Sequence, residues 1–175
     1  MNLSNNRVKL VRLDESDYEL FVQLRTCPDI MEHIYTPFTE QEAKERFNVH
    51  LKPWSMDSAE WLSFTIVLLS TDEKVGDIGL KIVDRRNLIG EVGFMLKKES
   101  QGLGIGTQAL SLIKELAFER LNLKALTAVC SVNNSASYSL LEKHDFARQE
   151  CRIANTLING QYVDDYVYRL ENNVK

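Results

Sequence analysis

Long apolar runs are missing from this 175-residue chain. No stretch approaches the roughly 20 consecutive apolar residues of a membrane-spanning helix, and residues 1–7 lack the apolar centre of a secretion signal. We therefore expect a cytoplasmic protein without a membrane partner. Internal repeats are also lacking. With 44% hydrophobic and 26% charged residues, the chain is predicted to form one domain over residues 1–175.

Cysteines are few, and the 21 basic residues are outnumbered by 25 acidic ones. The three cysteines, Cys27, Cys130 and Cys151, are odd in number and lack the paired spacing of a zinc site, so we expect reduced, buried thiols and no metal. The formal net charge is −4. An acidic balance argues against nucleic-acid binding and agrees with a cationic substrate such as an amine.

Residues 101–107, Gln-Gly-Leu-Gly-Ile-Gly-Thr, are the most informative segment that is present. An apolar run typical of a strand, residues 88–96, precedes them. Apolar residues at helical spacing follow, namely Ala109, Leu112, Ile113, Leu116 and Ala117. In this order of strand, loop and helix, the N–H groups of the loop and of the first helical turn point to one spot. The helix dipole adds partial positive charge there, so the spot suits a pyrophosphate.

Three phosphate-binding patterns compete for this loop. A P-loop needs Lys-Ser or Lys-Thr after its last glycine, whereas Gly106 is followed by Thr-Gln. A dinucleotide fingerprint on Gly104, Gly106 and Ala109 needs an acidic residue roughly 20 positions later, but the strand-like run 125–132 leads into two asparagines. The third pattern, Gln-x-x-Gly-x-Gly, is filled from Gln101 onward. A plain tight strand-to-helix connection also stays open.

A second motif, residues 134–146, lies downstream. Asn134-Ser-Ala-Ser137 and the Leu-Leu-Glu-Lys-His-Asp-Phe that ends at Phe146 resemble the Asn-x-x-Ser and Leu-Glu-Lys-x-Gly-Phe segments of GNAT acyltransferases, in the RimJ/RimL-like branch that acetylates amino groups. The Gln-x-x-Gly-x-Gly loop resembles the pyrophosphate loop of the same superfamily. One departure is Asp145 in place of the usual glycine. Aspartate tolerates the left-handed conformation that such a turn uses.

The resemblance covers nearly the whole chain, strongly over residues 91–146 and loosely over residues 27–60. It implies an α+β GNAT fold, a twisted and mostly antiparallel mixed sheet of about seven strands flanked by about four helices. Local patterns agree, because Asp14 and the capping-box pair Thr39 and Glu42 are typical helix starts. The resemblance further implies that the central strands separate near the glycine loop and leave one edge of the strand 88–96 free.

The resemblance implies acetyl-CoA as cosubstrate and no metal. The main chain of Phe94, Met95 and Leu96 would bind the pantetheine arm by strand addition, which is compatible with core positions for their side chains. Asn134 would hydrogen-bond the pantetheine amides, or cap the helix that it precedes. The N–H groups of seven loop residues would bind the pyrophosphate, namely Gln101, Gly102, Leu103, Gly104, Ile105, Gly106 and Thr107.

Acetyl transfer to an amine needs a base for the ammonium proton and an acid for the departing thiolate. Glu91 is the candidate base, acting directly or through water, because it is a carboxylate in the middle of an apolar strand. The alternative is a solvated glutamate, or one paired with Arg85 or Arg86. Ser137 is the candidate acid, since it fills the serine of the branch motif. A serine in a first helical turn is also ordinary capping chemistry.

The sequence therefore predicts an N-acetyltransferase that moves the acetyl group of acetyl-CoA to a primary amine, either a protein N-terminus or a small amine. Polyamine or aminoglycoside acetylation is an alternative, although Leu141 stands where other GNAT branches have a tyrosine acid. A non-catalytic acyl-CoA sensor and an NAD-dependent dehydrogenase are further alternatives, and the protein would be a monomer or homodimer. The resemblance brings six residues to the acceptor pocket, namely His33, Tyr35, Trp54, Trp61, Tyr162 and Asp164.

Overall fold

The computed structural model describes residues 3–172 and places eight strands in one mixed sheet of order β1-β2-β3-β4-β5-β6-β8-β7. The strands are β1 Leu3–Ser4, β2 Val8–Arg12, β3 Leu62–Leu68, β4 Lys74–Asp84, β5 Ile89–Leu96, β6 Ala125–Ser131, β7 Ala147–Ile158 and β8 Gln161–Glu171. All neighbours pair antiparallel except β5 and β6. This confirms the predicted α+β class. The strand beyond the predicted seven is β1, which is too short for a periodic signal. The prediction of a single domain covers residues 1–175. Of these, residues 1, 2 and 173–175 lie outside the described part.

Five α-helices flank the sheet within residues 3–172. They are α1 Tyr18–Thr26, α2 Pro28–Met31, α3 Glu40–His50, α4 Ile105–Glu115 and α5 Ser135–Lys143, with a π-helical continuation of α4 over Leu116–Arg120. The predicted caps are present: the Asp14 side chain caps the 3₁₀ turn before α1, and Thr39 forms a capping box with Glu42. The helix beyond the predicted four is α2, a single turn that starts at Pro28.

The two faces of the sheet contact different helices. Leu80, Val92 and their even-numbered neighbours form the main core with α4, whose Leu110 and Ile113 are fully buried. The opposite face contacts α1, α2 and α3. There Arg25 of α1 donates to Asp77 of β4 at 2.6 Å. This three-layer arrangement leaves the odd-numbered positions of β5 facing the first three helices.

The central strands separate, as the resemblance implied. β5 and β6 pair only through Ile89, Gly90 and Glu91, the last opposite Thr127. Beyond that point β5 continues against β4 alone, and β6 continues against β8. We call this opening the fork. It exposes one main-chain edge of β5 from Val92 onward.

The two C-terminal turns each contain residues with positive φ. Asn159 and Gly160 join β7 to β8 with φ of 49° and 80°, as an Asn-Gly hairpin turn requires. Asp145 adopts φ 68° after α5. The prediction of buried thiols is confirmed for Cys130 only, since Cys27 is half-buried and Cys151 is exposed on β7, the outermost strand of the sheet. No helix of residues 3–172 combines the length and apolarity that crossing a membrane requires.

Candidate active site

The glycine loop ends β5 and opens α4. Gly102 and Gly104 have φ of 71° and 76°, a left-handed conformation that glycine adopts without strain. Gly104 is the N-cap of α4 and supplies no side-chain cap. Among residues 3–172, none accepts a hydrogen bond from the N–H groups of residues 102–107. These free donors at the positive end of a helix dipole form a cradle for an anion.

Gly106 has a different role, because its lack of a side chain allows α5 to pack closely against the start of α4. A Cβ added to Gly106 would lie 2.8 Å from Leu140 Cδ1 of α5. The loop itself is held by side chains, since Gln101 Nε2 donates to Leu96 O at 3.1 Å. The cradle is therefore bordered by the end of β5 on one side and by the start of α5 on the other.

The turn between β1 and β2 holds the loop from outside. Arg7 Nη2 donates to Leu103 O at 3.2 Å, and Asn5 Nδ2 donates to Gln108 O at 3.2 Å. Sequence reasoning missed both residues, because the contacts join positions about a hundred residues apart. An asparagine at position 5 could have indicated only a local turn. Its Oδ1 accepts hydrogen bonds from the N–H groups of Arg7 and Val8, as in an Asx-turn.

The free edge of β5 lies between Glu91 and the loop. Gly90 O accepts a hydrogen bond from Thr127 Oγ1 of β6 at 3.2 Å, so the main chain of Gly90 points toward β6. Main-chain direction alternates along a strand. Val92, Phe94 and Leu96 therefore turn their N–H and C=O groups into the fork, where no strand pairs with them.

Met95 has the opposite orientation. It lies opposite Asp77, with its main chain toward β4, and its side chain packs against Leu20, Leu24 and Ile30. From the sequence, we expect the main chain of Phe94, Met95 and Leu96 to bind the same pantetheine arm. The alternation of the strand corrects this for Met95, because adjacent residues cannot present their main chains to the same edge.

Glu91 sits at the base of the fork, on the face of the sheet that contacts α1–α3. Its side chain is half-buried, and this burial raises the pKa of the carboxyl above its ordinary value, although Lys81 and Arg152 act in the other direction. Within residues 3–172 no ion pair shorter than 4.0 Å involves Glu91. The alternative pairing with Arg85 is not formed, since Arg85 donates to Asp57 O. A half-buried carboxylate without an ion-pair partner is suited to accept a proton.

The aromatic side chain of Trp61 covers the face of the sheet beside Glu91. Gly79 and Gly93 face each other on β4 and β5, and the six-membered ring of Trp61 covers both, 3.0 and 3.4 Å from the positions that their Cβ atoms would take. Glu91 and Gly93 lie on the same face of β5. Sequence reasoning placed Trp61 near the acceptor but missed the two glycines, whose pairing depends on strand register.

Tyr35 lies near the same carboxylate. The pKa of Tyr35 is raised by partial burial and then by the negative charges of Glu91 and Asp165. Asp165 is buried and accepts hydrogen bonds from Asn155 and Thr156 of β7. The charge of Arg46 acts on the pKa of Tyr35 in the opposite direction.

The other expected acceptor residues are more scattered. Trp54 packs against the main core, with Nε1 donating to Glu60 O at 3.0 Å. Tyr162 is 68% exposed. Asp164 accepts from the N–H of Ala154 at 2.8 Å, and His33 lies 3.8 Å from Glu32. No ligand role follows from these contacts.

Ser137 and Asn134 lie across the fork from β5. Asn134 Oδ1 accepts from Ser137 N at 3.1 Å and so caps α5. Burial raises the pKa of the Cys130 thiol on β6 to about 11, and the neighbouring Ser137 side chain acts on that pKa in the opposite direction. The half-buried Ser137 hydroxyl thus lies on the β6 side of the fork, opposite the free edge of β5. Within residues 3–172, no group of three or more His, Cys, Asp or Glu is arranged to hold a metal.

Comparison with known proteins agrees with this geometry. Residues 7–147 match the family model of the acetyltransferase (GNAT) domain. The chain is 24% identical to the uncharacterized N-acetyltransferase p20 of Bacillus licheniformis, over 96% of this chain and 94% of that protein. Its fold is similar to RimL, a ribosomal L7/L12 alpha-N-protein acetyltransferase solved with coenzyme A, with a TM-score of 0.84, 19% identity and full coverage of both chains (100% each).

A second solved structure is similar to the same extent. The spermidine N-acetyltransferase of Vibrio cholerae, in complex with CoA and spermine, has a TM-score of 0.83 and 21% identity, over 96% of this chain and 97% of that one. These likenesses establish the fold, and the family match covers most of the chain. The chain therefore belongs to the GNAT family of N-acetyltransferases, as its glycine loop and Asn-x-x-Ser motif predicted.

Proposed function

We propose that this enzyme transfers the acetyl group of acetyl-CoA directly to a primary amine. The observation that carries the proposal is the arrangement along β5. A half-buried carboxylate at Glu91, a main-chain edge at Phe94 and Leu96 with which no strand pairs, and the anion cradle of residues 102–107 follow one another along one strand and its loop. A cosubstrate with a thioester, an amide-bearing arm and a pyrophosphate fits that order.

The fit can be followed along the strand. Glu91 and Leu96 are separated by roughly 16 Å, at about 3.3 Å per residue. A pantetheine arm paired with Phe94 and Leu96 as an added strand would place its pyrophosphate at the glycine loop. Its thioester would then lie toward the base of the fork. Acetyl-CoA supplies the activated acyl group, and the chain supplies position and proton transfer.

Glu91 is the proposed base. At neutral pH alkyl amines are protonated, so the acceptor must lose a proton before its lone pair can attack the thioester carbonyl. The raised pKa of Glu91 makes its carboxylate a stronger base than that of an exposed glutamate. Ser137 is the proposed acid and would donate its hydroxyl proton to the departing thiolate. Asn134 fixes the helical turn that carries Ser137.

The proposed acceptor is a protein N-terminal amino group or a small amine. The carboxylates of Glu91 and Asp165 near Tyr35 favour a cationic acceptor, and the ring of Trp61 offers an aromatic surface for an ammonium or its alkyl chain. The RimL structure supports a protein N-terminus, and the spermidine N-acetyltransferase supports a small polyamine as the second candidate.

A turnover assay tests the proposal. The enzyme is incubated with acetyl-CoA and, separately, with peptides that carry free N-termini, with polyamines and with an aminoglycoside. We expect free CoA to be released only with an accepted amine, together with an acetylated product seen by mass spectrometry. Binding of acetyl-CoA without CoA release for any amine would instead indicate a sensor.

A further inference from the structure

The β1–β2 turn brings a cation to the glycine loop. Arg7 lies in this turn and is exposed, and its Nη2 donates to Leu103 O at 3.2 Å. Its Nη1 lies 3.4 Å from the position that a Cβ on Gly104 would take. Gly104 is the N-cap of α4. The guanidinium therefore lies beside the free N–H groups of the cradle.

The main chain of Arg7 is fixed on both sides. Its N–H donates to Asn5 Oδ1 at 3.0 Å, and its C=O accepts from Leu69 N at 2.9 Å. Asn5 also reaches Gln108 O in the first turn of α4. The turn is thus attached to the loop before and after Gly104, and Arg7 is held in place while its guanidinium stays accessible.

The charge of Arg7 has no acidic partner within residues 3–172. The N-terminus of α4 carries a partial positive charge, and within residues 3–172 no carboxylate lies within 4.0 Å of the Arg7 guanidinium. A cation at this end of a helix repels the dipole. One hydrogen bond to an exposed carbonyl does not require a guanidinium. An anion bound between Arg7 and the N–H groups would reverse the sign of the interaction.

We propose that Arg7 is a phosphate-binding residue that contacts the pyrophosphate of the cosubstrate at the glycine loop. The assignment rests on the proposed use of acetyl-CoA. A guanidinium has five N–H donors, of which the contact with Leu103 uses one. The others are suited to paired, charge-assisted hydrogen bonds with phosphate oxygens. Arg7 would thus close the side of the cradle that the glycines leave open.

Calorimetric titration of CoA and of 3′-dephospho-CoA into wild type and Arg7→Ala tests the assignment. We expect the substitution to weaken binding of both ligands on the order of 10- to 100-fold, and to lower the salt dependence of binding. The matched control is Lys9→Ala, which removes one positive charge from the same hairpin at a side chain paired with Asp72 at 2.6 Å. It should bind both ligands like wild type.

Several outcomes would overturn the assignment. One is an Arg7→Ala variant that binds CoA within twofold of wild type. Another is an effect that disappears with 3′-dephospho-CoA, because Arg7 would then contact a different phosphate. A third is weaker binding with an unchanged salt dependence, which indicates that Arg7 only positions the loop. If wild type itself fails to bind CoA, the proposed function is wrong as well, and this result is distinct from the other three.

Discussion

Replacement of Glu91 by glutamine tests the proposed base most sharply. Glutamine keeps the size and shape of the side chain but cannot accept a proton. Glu91 is half-buried and forms no ion pair within residues 3–172, so the substitution leaves no partner unpaired. A positioned base typically contributes about 10²–10⁴ in rate, which corresponds to about 3 to 5 kcal/mol of activation free energy. We expect kcat to fall by that factor.

Although Glu91→Gln should lower turnover, it should not lower the stability of the folded protein. Burial raises the pKa of Glu91 in the folded protein, so folding favours its protonated form. The stability that this group contributes is complete below the pKa of an unfolded glutamate and is lost as pH rises through the folded pKa. At pH 7 the glutamine variant should therefore unfold at a temperature equal to or above that of wild type. At pH 4 the two proteins should differ little.

The assay follows CoA release against pH for wild type and variant, with thermal unfolding at both pH values. The acid limb of kcat/KM in wild type should have its midpoint above the pKa of an ordinary glutamate, and the variant should lose this limb. Glu119→Gln is the matched control, because Glu119 is exposed on the π-helical segment after α4. Turnover of Glu91→Gln within threefold of wild type would refute the reasoning.

Three further predictions follow from individual contacts. Ser137→Ala should lower kcat at least about tenfold without a change in acetyl-CoA binding, if its hydroxyl is the acid; equal kcat in wild type and variant would contradict that role. Asp77→Asn removes one partner of the buried pair with Arg25 and should cost about 3–5 kcal/mol, seen as a fall of roughly 6–20 °C in Tm; a fall under 2 °C would contradict it. Burial, and then the charge of Arg25, lower the pKa of His50 to about 4, so wild type should lose about 3 kcal/mol of stability as pH falls from 6.5 to 4. Urea unfolding of His50→Gln should show a flatter profile, and an identical slope would show that other groups cause the loss.

The sequence predicted the parts of the site that depend on local chemistry. The segment 101–107 predicted a glycine loop between a strand and a helix, and the structure has that order, with left-handed backbone at Gly102 and Gly104. The capping box of Thr39 and Glu42 needs only a three-residue spacing. Asp145 in a left-handed turn could be anticipated because few other residues tolerate that conformation. Each of these features is set by residues that are neighbours along the chain.

Features that depend on register or on distant contacts could not be predicted in this way. The orientation of Met95 follows from which residues of β5 pair with β4, and a one-residue shift would reverse it. The cover of Trp61 over Gly79 and Gly93 depends on the same register. Arg7 reaches the loop across 96 residues. No local pattern carries such information, because it arises only when the sheet is assembled.

The central claim, that the glycine loop binds the pyrophosphate of acetyl-CoA, is tested most directly by calorimetric titration of acetyl-CoA into three proteins. They are wild type, Gly104→Trp, whose side chain would fill the cradle, and Gly160→Trp, a control with the same left-handed strain at φ 80° in the β7–β8 turn. The account predicts saturable binding to wild type and to Gly160→Trp, and no binding to Gly104→Trp. Absence of binding to wild type, or equal binding to all three proteins, would contradict it.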